Sequence, residues 1–465
     1  MAAKRKKRRK KSHVFWLTLL LTISVGSAVL FGGWVLTGMD RQRTAAAYAQ
    51  RKPENDKTAA EGSGMLSDAG RGEKNGAGAD KDGVEPPGGI NRNAQNESEE
   101  AKTDETSLGA EFSGTERAEK PEGKYDQLLA DEELCREQNI YAKETANPEE
   151  ISIVFAGDIL FDDGYAIMAK MKQRGKGIEG SISQDMLRIM RSADIFMVNN
   201  EFPYTNRGEP TPDKRFTFRA RPEYASYLFD MGADIVSLAN NHAYDYGEVS
   251  LTDTIDTLNN IGMPFVGAGR NLDEAIRPVY FIANDMKIAF VSATQIERLD
   301  NPDTKGATES TPGVFRCWNV ELLLQVIQNA KQVSDYVIVY IHWGTESTDE
   351  LDWAQKEQAV KIAEAGADLI IGDHPHVLQP IGYCGSVPVI YSLGNYLFNS
   401  KAQDTCLVRA VLDKNGLKNL QFIPGRQEDC AVTMHSGAEK ERVLSYMRSI
   451  SLGVNIDADG YITKQ

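Results

Sequence analysis

The chain has 465 residues, 41% of them hydrophobic and 26% charged, and its 52 Lys+Arg against 67 Asp+Glu give a formal net charge of −15. That acidic total, with a single dense basic block in the first dozen residues, excludes a nucleic-acid-binding face on the main body. The five cysteines, Cys135, Cys317, Cys384, Cys406 and Cys430, form no CxxC pair, which excludes a disulfide-knot scaffold and a zinc finger.

Residues 4–11 are eight consecutive Lys and Arg, and residues 14–37 carry no charge across 24 positions. About 20 apolar residues suffice for a helix to cross the hydrocarbon core of a bilayer. Trp16 and Trp34 fall where interfacial rings are favoured, and the basic flank keeps the N-terminus inside. The expectation is a basic cytoplasmic tail over 1–13 and a single-pass transmembrane signal anchor over 14–38, with the main domain outside the cell membrane. A cleaved signal peptide competes, because Ala47-Tyr48-Ala49 resembles a cleavage site, but it lies well past the apolar stretch and that stretch is long for such a peptide. Residues 39–147 read as a disordered acidic linker: residues 51–150 hold 13 basic against 25 acidic side chains, a net of −12, which opposes collapse. As a flexible coil this tether spans on the order of 55 Å. Within it, residues 125–141 have helical character and read as a lead-in to the domain.

From 148 to 465 the pattern is that of one folded α/β domain. A unit recurs four times in which a helical stretch ends in a small residue and Asp, followed by an apolar run and then polar residues: Ala193-Asp194, Ala233-Asp234, Ser334-Asp335 and Ala367-Asp368. Short apolar runs between helices predict strands covered on both faces. ISIVFAGD opens the series, VPVIYSLGNYLF continues it, and a hairpin is expected around Lys414-Asn415-Gly416. Helices are expected over 251–261, 320–333, 352–365 and 441–449.

Unusual polar residues follow these strands. Asp158 closes the first run, Asn199, Asn200 and Glu201 the second, Asn240, Asn241 and His242 the third, His342 the fourth, and Asp373, His374 and His376 the fifth. In open α/β sheets ligands sit beyond the carboxyl ends of the strands, so these residues are expected on one rim. Four of the six histidines lie there; His13 and His435 do not. Carboxylate, amide oxygen and imidazole together suit Mn, Fe or Zn better than Ca or Mg. One or two such ions could support phosphoester hydrolysis, with His242 as proton donor to the leaving group and Asp158 in the catalytic set.

The motifs GDILF (157–161), NNEFP (199–203), NNHAYDYG (240–247), IHWGTE (341–346), GDHPHVLQP (372–380) and YSLGNYLF (391–398) resemble, in order and spacing, those of the bacterial capsule-synthesis CapA family, the poly-γ-glutamate capsule domain related to calcineurin-like metallophosphoesterases. The resemblance implies a layered sandwich of two central sheets flanked by helices. It also implies that Asp158, Glu201 and His376 hold one metal, and that Glu201, as bridge, with Asn241, His342 and His374 holds the other. Leu160 stands where a metallophosphoesterase has a ligand histidine, and Glu201 where it usually has Asp. The first site thereby loses a ligand and is expected to be weak, mononuclear or absent, so membership alone leaves catalysis open.

Lys214, Arg215, Arg219 and Arg221 offer cations that suit phosphate or polyglutamate carboxylates, while Trp343, Tyr244 and Tyr246 are candidates for the mouth of the site. The function expected is a membrane-anchored protein of capsule or poly-γ-glutamate biosynthesis or export. Its metal site would act by hydrolysis or transfer on a surface polymer, beside membrane capsule-synthase components. The alternatives are a non-catalytic polymer-binding or scaffold subunit and an extracellular metal-dependent phosphodiesterase.

Overall fold

The computed structural model describes residues 123–296 and 304–465. Here the apolar runs form two mixed sheets. The first runs through Ala431–Met434, Gly416–Glu428, Gln403–Asp413, Ile151–Ile159, Ile195–Asn200, Ile235–Ser237 and Phe265–Val266, with Asn395–Leu397 also pairing with Ile151–Ile159. The second runs through Ile140–Ala142, Val279–Ala283, Met286–Thr294, Tyr336–His342, Leu369–Asp373, Val387–Ile390 and Ile381–Cys384. The strands that carry the polar motifs are parallel within each sheet.

Side chains alternate across a strand, which decides what each residue buries against. Ile153 and Phe155 join Phe290, Ile338, Tyr340 and Ile371 in a core between the sheets. Val154 and Ala156 face the other way, into a core shared with helices Ala166–Arg174, Gln184–Arg191, Ser226–Met231 and Glu248–Ile261. Beyond the second sheet, Val337, Val339 and Ile341 pack under Glu321–Val333 and Trp353–Glu364. The layering is therefore helix, sheet, sheet, helix. The Tyr340 hydroxyl donates to the Ala156 carbonyl at 2.9 Å, a buried bond joining the two sheets.

The repeated aspartates are a structural seam. Each precedes one strand and accepts, through its carboxylate, a backbone N–H at the start of the neighbouring strand: Asp194 from Ser152 at 2.7 Å, Asp234 from Phe196 at 2.8 Å, Asp335 from Lys287 at 2.8 Å and Asp368 from Val337 at 2.8 Å. In all four cases the aspartate's own N–H bonds back to the carbonyl of that same residue. A strand-end amide that would be left unsatisfied thus gains a charged acceptor.

Several expectations change. Residues 123–147 do not belong to the linker: Asp126–Leu129 and Glu132–Glu137 are helical, and Ile140–Ala142 pairs in parallel with Val279–Ala283, so the folded part begins by residue 123. The acidic composition there reflects an exposed edge rather than an absent fold. The hairpin Val279–Ala283/Met286–Thr294, outside the expected strands, turns at Asn284 and Asp285, whose φ of 47° and 58° suit a tight hairpin turn. VPVIYSLGNYLF is two strands, one in each sheet, because the chain crosses between the sheets at Gly394, φ 67°. The hairpin around Lys414 to Gly416 forms as expected. The C-terminal helix is longer than expected, Gly437–Ile450, and inserts Val443, Leu444 and Met447 into the inter-sheet core. All five cysteines are free. Among the described residues no helix is long and apolar enough to cross a membrane; the basic tail, the anchor expected at 14–38, His13 and the linker before residue 123 lie outside them.

Candidate metal centre

The strand ends meet where the two sheets abut. Asp158 follows a register shift in Ile151–Ile159 that only Gly157 allows, since a Cβ there would lie 1.8 Å from the Gly394 carbonyl oxygen. That close approach sets Asp158 beside Asn395. Asn199 Nδ2 donates to Asp158 Oδ1 at 2.9 Å, and Asn240 Nδ2 donates to Asn199 Oδ1 at 3.0 Å, so a chain of amides fixes the first carboxylate.

His374 and His376 flank Pro375 just past Leu369–Asp373, and both hold left-handed backbone, with φ of 94° and 59°. Such a conformation costs a non-glycine residue about 1–3 kcal/mol and persists where the surroundings over-determine it, as at functional sites. Ser347 N–H, bonded to the Pro375 carbonyl at 2.9 Å, pins this turn.

Seven sequence-selected residues come together: Asp158, Glu201, Asn241, His242, His342, His374 and His376. Ligand atoms of Glu201, His342 and His374 lie within 4.8 Å of one another, and so do those of Asp158, Glu201 and His376. Ligand atoms of Asp158, His342 and Asp373 form a third such group, so Glu201, Asp158 and His342 each belong to two of the three. His342 Nε2 lies 2.9 Å from Asn241 Oδ1 and 3.0 Å from His374 Nδ1. On the second group, His376 Nδ1 lies 3.1 Å from Asp158 Oδ2 and 2.9 Å from Asn395 Oδ1. His242 stands at the edge, its Nε2 4.0 Å from Glu201 Oε1.

A divalent cation fits this donor set on two observations. Both Glu201 oxygens are fully buried with no hydrogen-bond partner, as is Asp373 Oδ2. Burying such groups unpaired is costly unless a cation or proton satisfies them. Burial, then the charges of Asp158 and Asp373, push the Glu201 carboxyl well above its usual value. Burial likewise drives His342 down to about 3 and His374 well below the usual imidazole value, leaving both rings neutral with lone pairs for a ligand. Asp158 and His376 form an opposed pair. Burial works to raise the carboxyl and lower the imidazole, yet their mutual hydrogen bond leaves Asp158 below and His376 above their ordinary values.

Several partnerships at the site join residues whose pairing has no signal in the sequence. Asp373 holds His342 Nδ1 at 3.0 Å, which leaves Nε2 facing the cluster. Asp245, which in sequence resembles a turn residue, is fully buried and accepts from His242 Nδ1 at 2.7 Å, Lys214 Nζ at 2.6 Å and Phe218 N at 2.6 Å. Asn395 was visible only as a polar residue after Gly394 in YSLGNYLF. Phe218 lies tilted against the His242 ring at 4.2 Å between centroids, and Phe398 packs against His376 at 5.2 Å.

Of the cationic segment only Lys214 reaches the site, and it does so from behind. Lys214, expected to contact substrate, is instead 6% exposed and bonded to Asp245 and the Asn241 carbonyl, so its charge is used inside the fold. Arg221 pairs with Asp163 at 2.6 Å, Arg219 lies over the Tyr246 ring, and the exposed Arg215 over Phe216. Trp343 is not at the mouth: it is fully buried and donates to the Tyr391 carbonyl at 3.0 Å. Leu160 sits in the helix-side core.

Fold and site thus define a layered α/β protein with a buried group of possible metal ligands at the carboxyl ends of its strands. Residues 152–400 match the bacterial capsule synthesis protein PGA_cap, and the chain belongs to that family. It is 32% identical over 287 residues to the PGA biosynthesis protein CapA of Bacillus subtilis (strain 168), covering 60% of this chain and 72% of that one. It is 29% identical over 308 residues to the capsule biosynthesis protein CapA of Bacillus anthracis, covering 63% and 72%. A probable polyglutamine synthesis accessory protein of Mycobacterium tuberculosis is 28% identical over 211 residues, covering 44% and 55%.

Proposed function

We infer that this chain acts in the synthesis or export of a capsule-like anionic polymer such as poly-γ-glutamate, as a metal-dependent hydrolase or transferase of metallophosphoesterase type, anchored in the cell membrane by residues 14–38 and working beside membrane synthase components. The observation that carries the metal-dependent reading is Glu201: a fully buried carboxylate with both oxygens unpartnered, shared by two groups of ligand atoms. Family membership and relatives named for PGA and capsule biosynthesis support the polymer.

Asp158, Glu201 and His376 would hold one cation, and Glu201, Asn241, His342 and His374 a second. Such ions polarise a substrate oxygen and lower the pKa of bound water. The protein's own groups do the rest. Asp373 fixes His342, and Asn395 fixes His376. Asp245 orients His242 so that its Nε2 faces the site; burial lowers this imidazole, so the resting Nε2 is unprotonated and can take a proton from the attacking water and return it to a leaving oxygen or nitrogen. Phe218 and Phe398 wall this corner against water. Arg215, Arg219 and Arg221, on the segment tied down through Lys214, offer positive charge to polymer carboxylates outside the mouth.

Elemental analysis of the full chain, purified without chelator, tests this. About one to two equivalents of Mn, Fe or Zn are expected, and their loss in His374→Ala/His376→Ala. A metal-free, folded wild type that cannot be reloaded would overturn the catalytic reading in favour of a polymer-binding scaffold.

A further inference from the structure

A cavity of about 730 Å³ opens at the amino end of Tyr336–His342. The histidine rim lies at the other end of that seven-residue strand, so the two places are ~20 Å apart. Lys331, Lys414, Lys418 and Lys464 line the cavity, with Asp335 and Asp368 as its acids.

Both acids are already satisfied within the fold. Asp368 Oδ2 accepts from Lys331 Nζ at 2.6 Å and Val337 N at 2.8 Å. Asp335 accepts from Lys287 N, Lys124 Nζ and Tyr125 Oη. Lys418 pairs with Glu150, which lines the adjoining smaller cavity. Asp413 and Glu149 line that smaller cavity beside Lys414 and Lys418, and Lys418 answers them together with Glu150; two ammonium groups remain without an ion pair. Lys464 Nζ donates to a neutral acceptor, the Gly385 carbonyl at 2.6 Å, and Lys414, exposed at the hairpin turn, has no carboxylate partner among the described residues. A chain of net charge −15 therefore gathers free positive charge in one concave place.

We propose that this cavity is a second binding site for the polymer, taking successive side-chain carboxylates of a polyamide such as poly-γ-glutamate on Lys414 and Lys464. The proposal rests on the polymer reading above. Asn415, Asn419 and Ser386 in the lining can both donate to and accept from amide groups, which a polyamide backbone offers and a polyphosphate does not. Tyr383 and Leu417 add apolar surface for the methylenes of such a chain. The site holds polymer at a distance from the histidine rim, so that one chain can be gripped while another part of it is presented there.

The test is fluorescence anisotropy with labelled poly-γ-glutamate on the full chain in detergent. It compares wild type, Lys414→Glu/Lys464→Glu, the milder Lys414→Gln/Lys464→Gln, and His374→Ala/His376→Ala, with polyphosphate of matched length as a second probe. Reversing two exposed charges is expected to weaken poly-γ-glutamate binding about tenfold or more. The glutamine pair should give a smaller loss, and the histidine pair should keep the tight component. Unchanged melting temperatures exclude misfolding. Equal binding by wild type and both lysine variants, with loss in the histidine variant, overturns the cavity and leaves the polymer reading standing. No poly-γ-glutamate binding by any form overturns both. Polyphosphate binding as tight as poly-γ-glutamate, with the same loss in the lysine variants, overturns the assignment to a polyamide.

Discussion

Replacing Glu201 by Gln separates the cost of folding from the gain of binding. Without a cation, the surroundings of Glu201 favour its neutral, protonated form, because burial and the charges of Asp158 and Asp373 raise its carboxyl far above the ordinary range. Gln is nearly isosteric with that neutral acid, so the metal-free variant should fold with stability within about 1 kcal/mol of wild type. Metal binding behaves differently. At a free cation concentration near a hundred times Kd, binding stabilises the folded state by about 2.7 kcal/mol. For a domain of this size that is a melting-temperature rise of several degrees, roughly 2–4 °C per kcal/mol or somewhat less. Glu201→Gln should lose most of this rise, because a carboxylate that belongs to two of the three ligand groups, and whose oxygens have no other partner, is gone. The sign of the pH effect follows from the same raised pKa. A cation must displace the Glu201 proton, so binding weakens as pH falls below the raised value and strengthens as pH climbs through it, with proton release on binding. Differential scanning fluorimetry with Mn, Fe or Zn across pH 5.5–8, and calorimetry in buffers of different ionisation enthalpy, read both effects. A Glu201→Gln protein that keeps the full wild-type metal response, or a wild type whose response grows as pH falls, would refute this reasoning.

Asn395→Ala should weaken metal binding about 10- to 100-fold by releasing His376 Nδ1, with partial rescue by Asn395→Asp, measured by competition with a chelating dye. Gly157→Ala should destabilise the domain by about 4 kcal/mol or more, or prevent folding, because its Cβ would overlap the Gly394 carbonyl; a soluble variant with a wild-type denaturation midpoint would contradict the close approach. Asp194→Ala removes the acceptor from two backbone amides, Ser152 N at 2.7 Å and Ala146 N at 2.9 Å. It should cost about 1–3 kcal/mol in urea denaturation without altering metal content.

The chain's own pattern determined the α/β class, the order of helices and most strands, and the set of residues at the strand ends. Those properties are local: an apolar run bounded by Asp before and polar residues after reads the same wherever it lies in space. The helices, the Lys414–Gly416 hairpin and the gathering of the strand-end residues are legible for that reason. Which sheet each strand joins was not legible, since the central strands of such a stack are buried on both faces and carry no mark of their neighbours; VPVIYSLGNYLF therefore reads as one strand although Gly394 hands the chain from one sheet to the other. Pairing across distance stayed hidden for the same reason. Only the tertiary structure turned Lys214 inward onto Asp245, set Asp373 behind His342 and Asn395 behind His376, and recruited residues 140–142 of an acidic stretch as an edge strand. Each of these depends on contacts between residues far apart in the chain, which composition and periodicity do not encode.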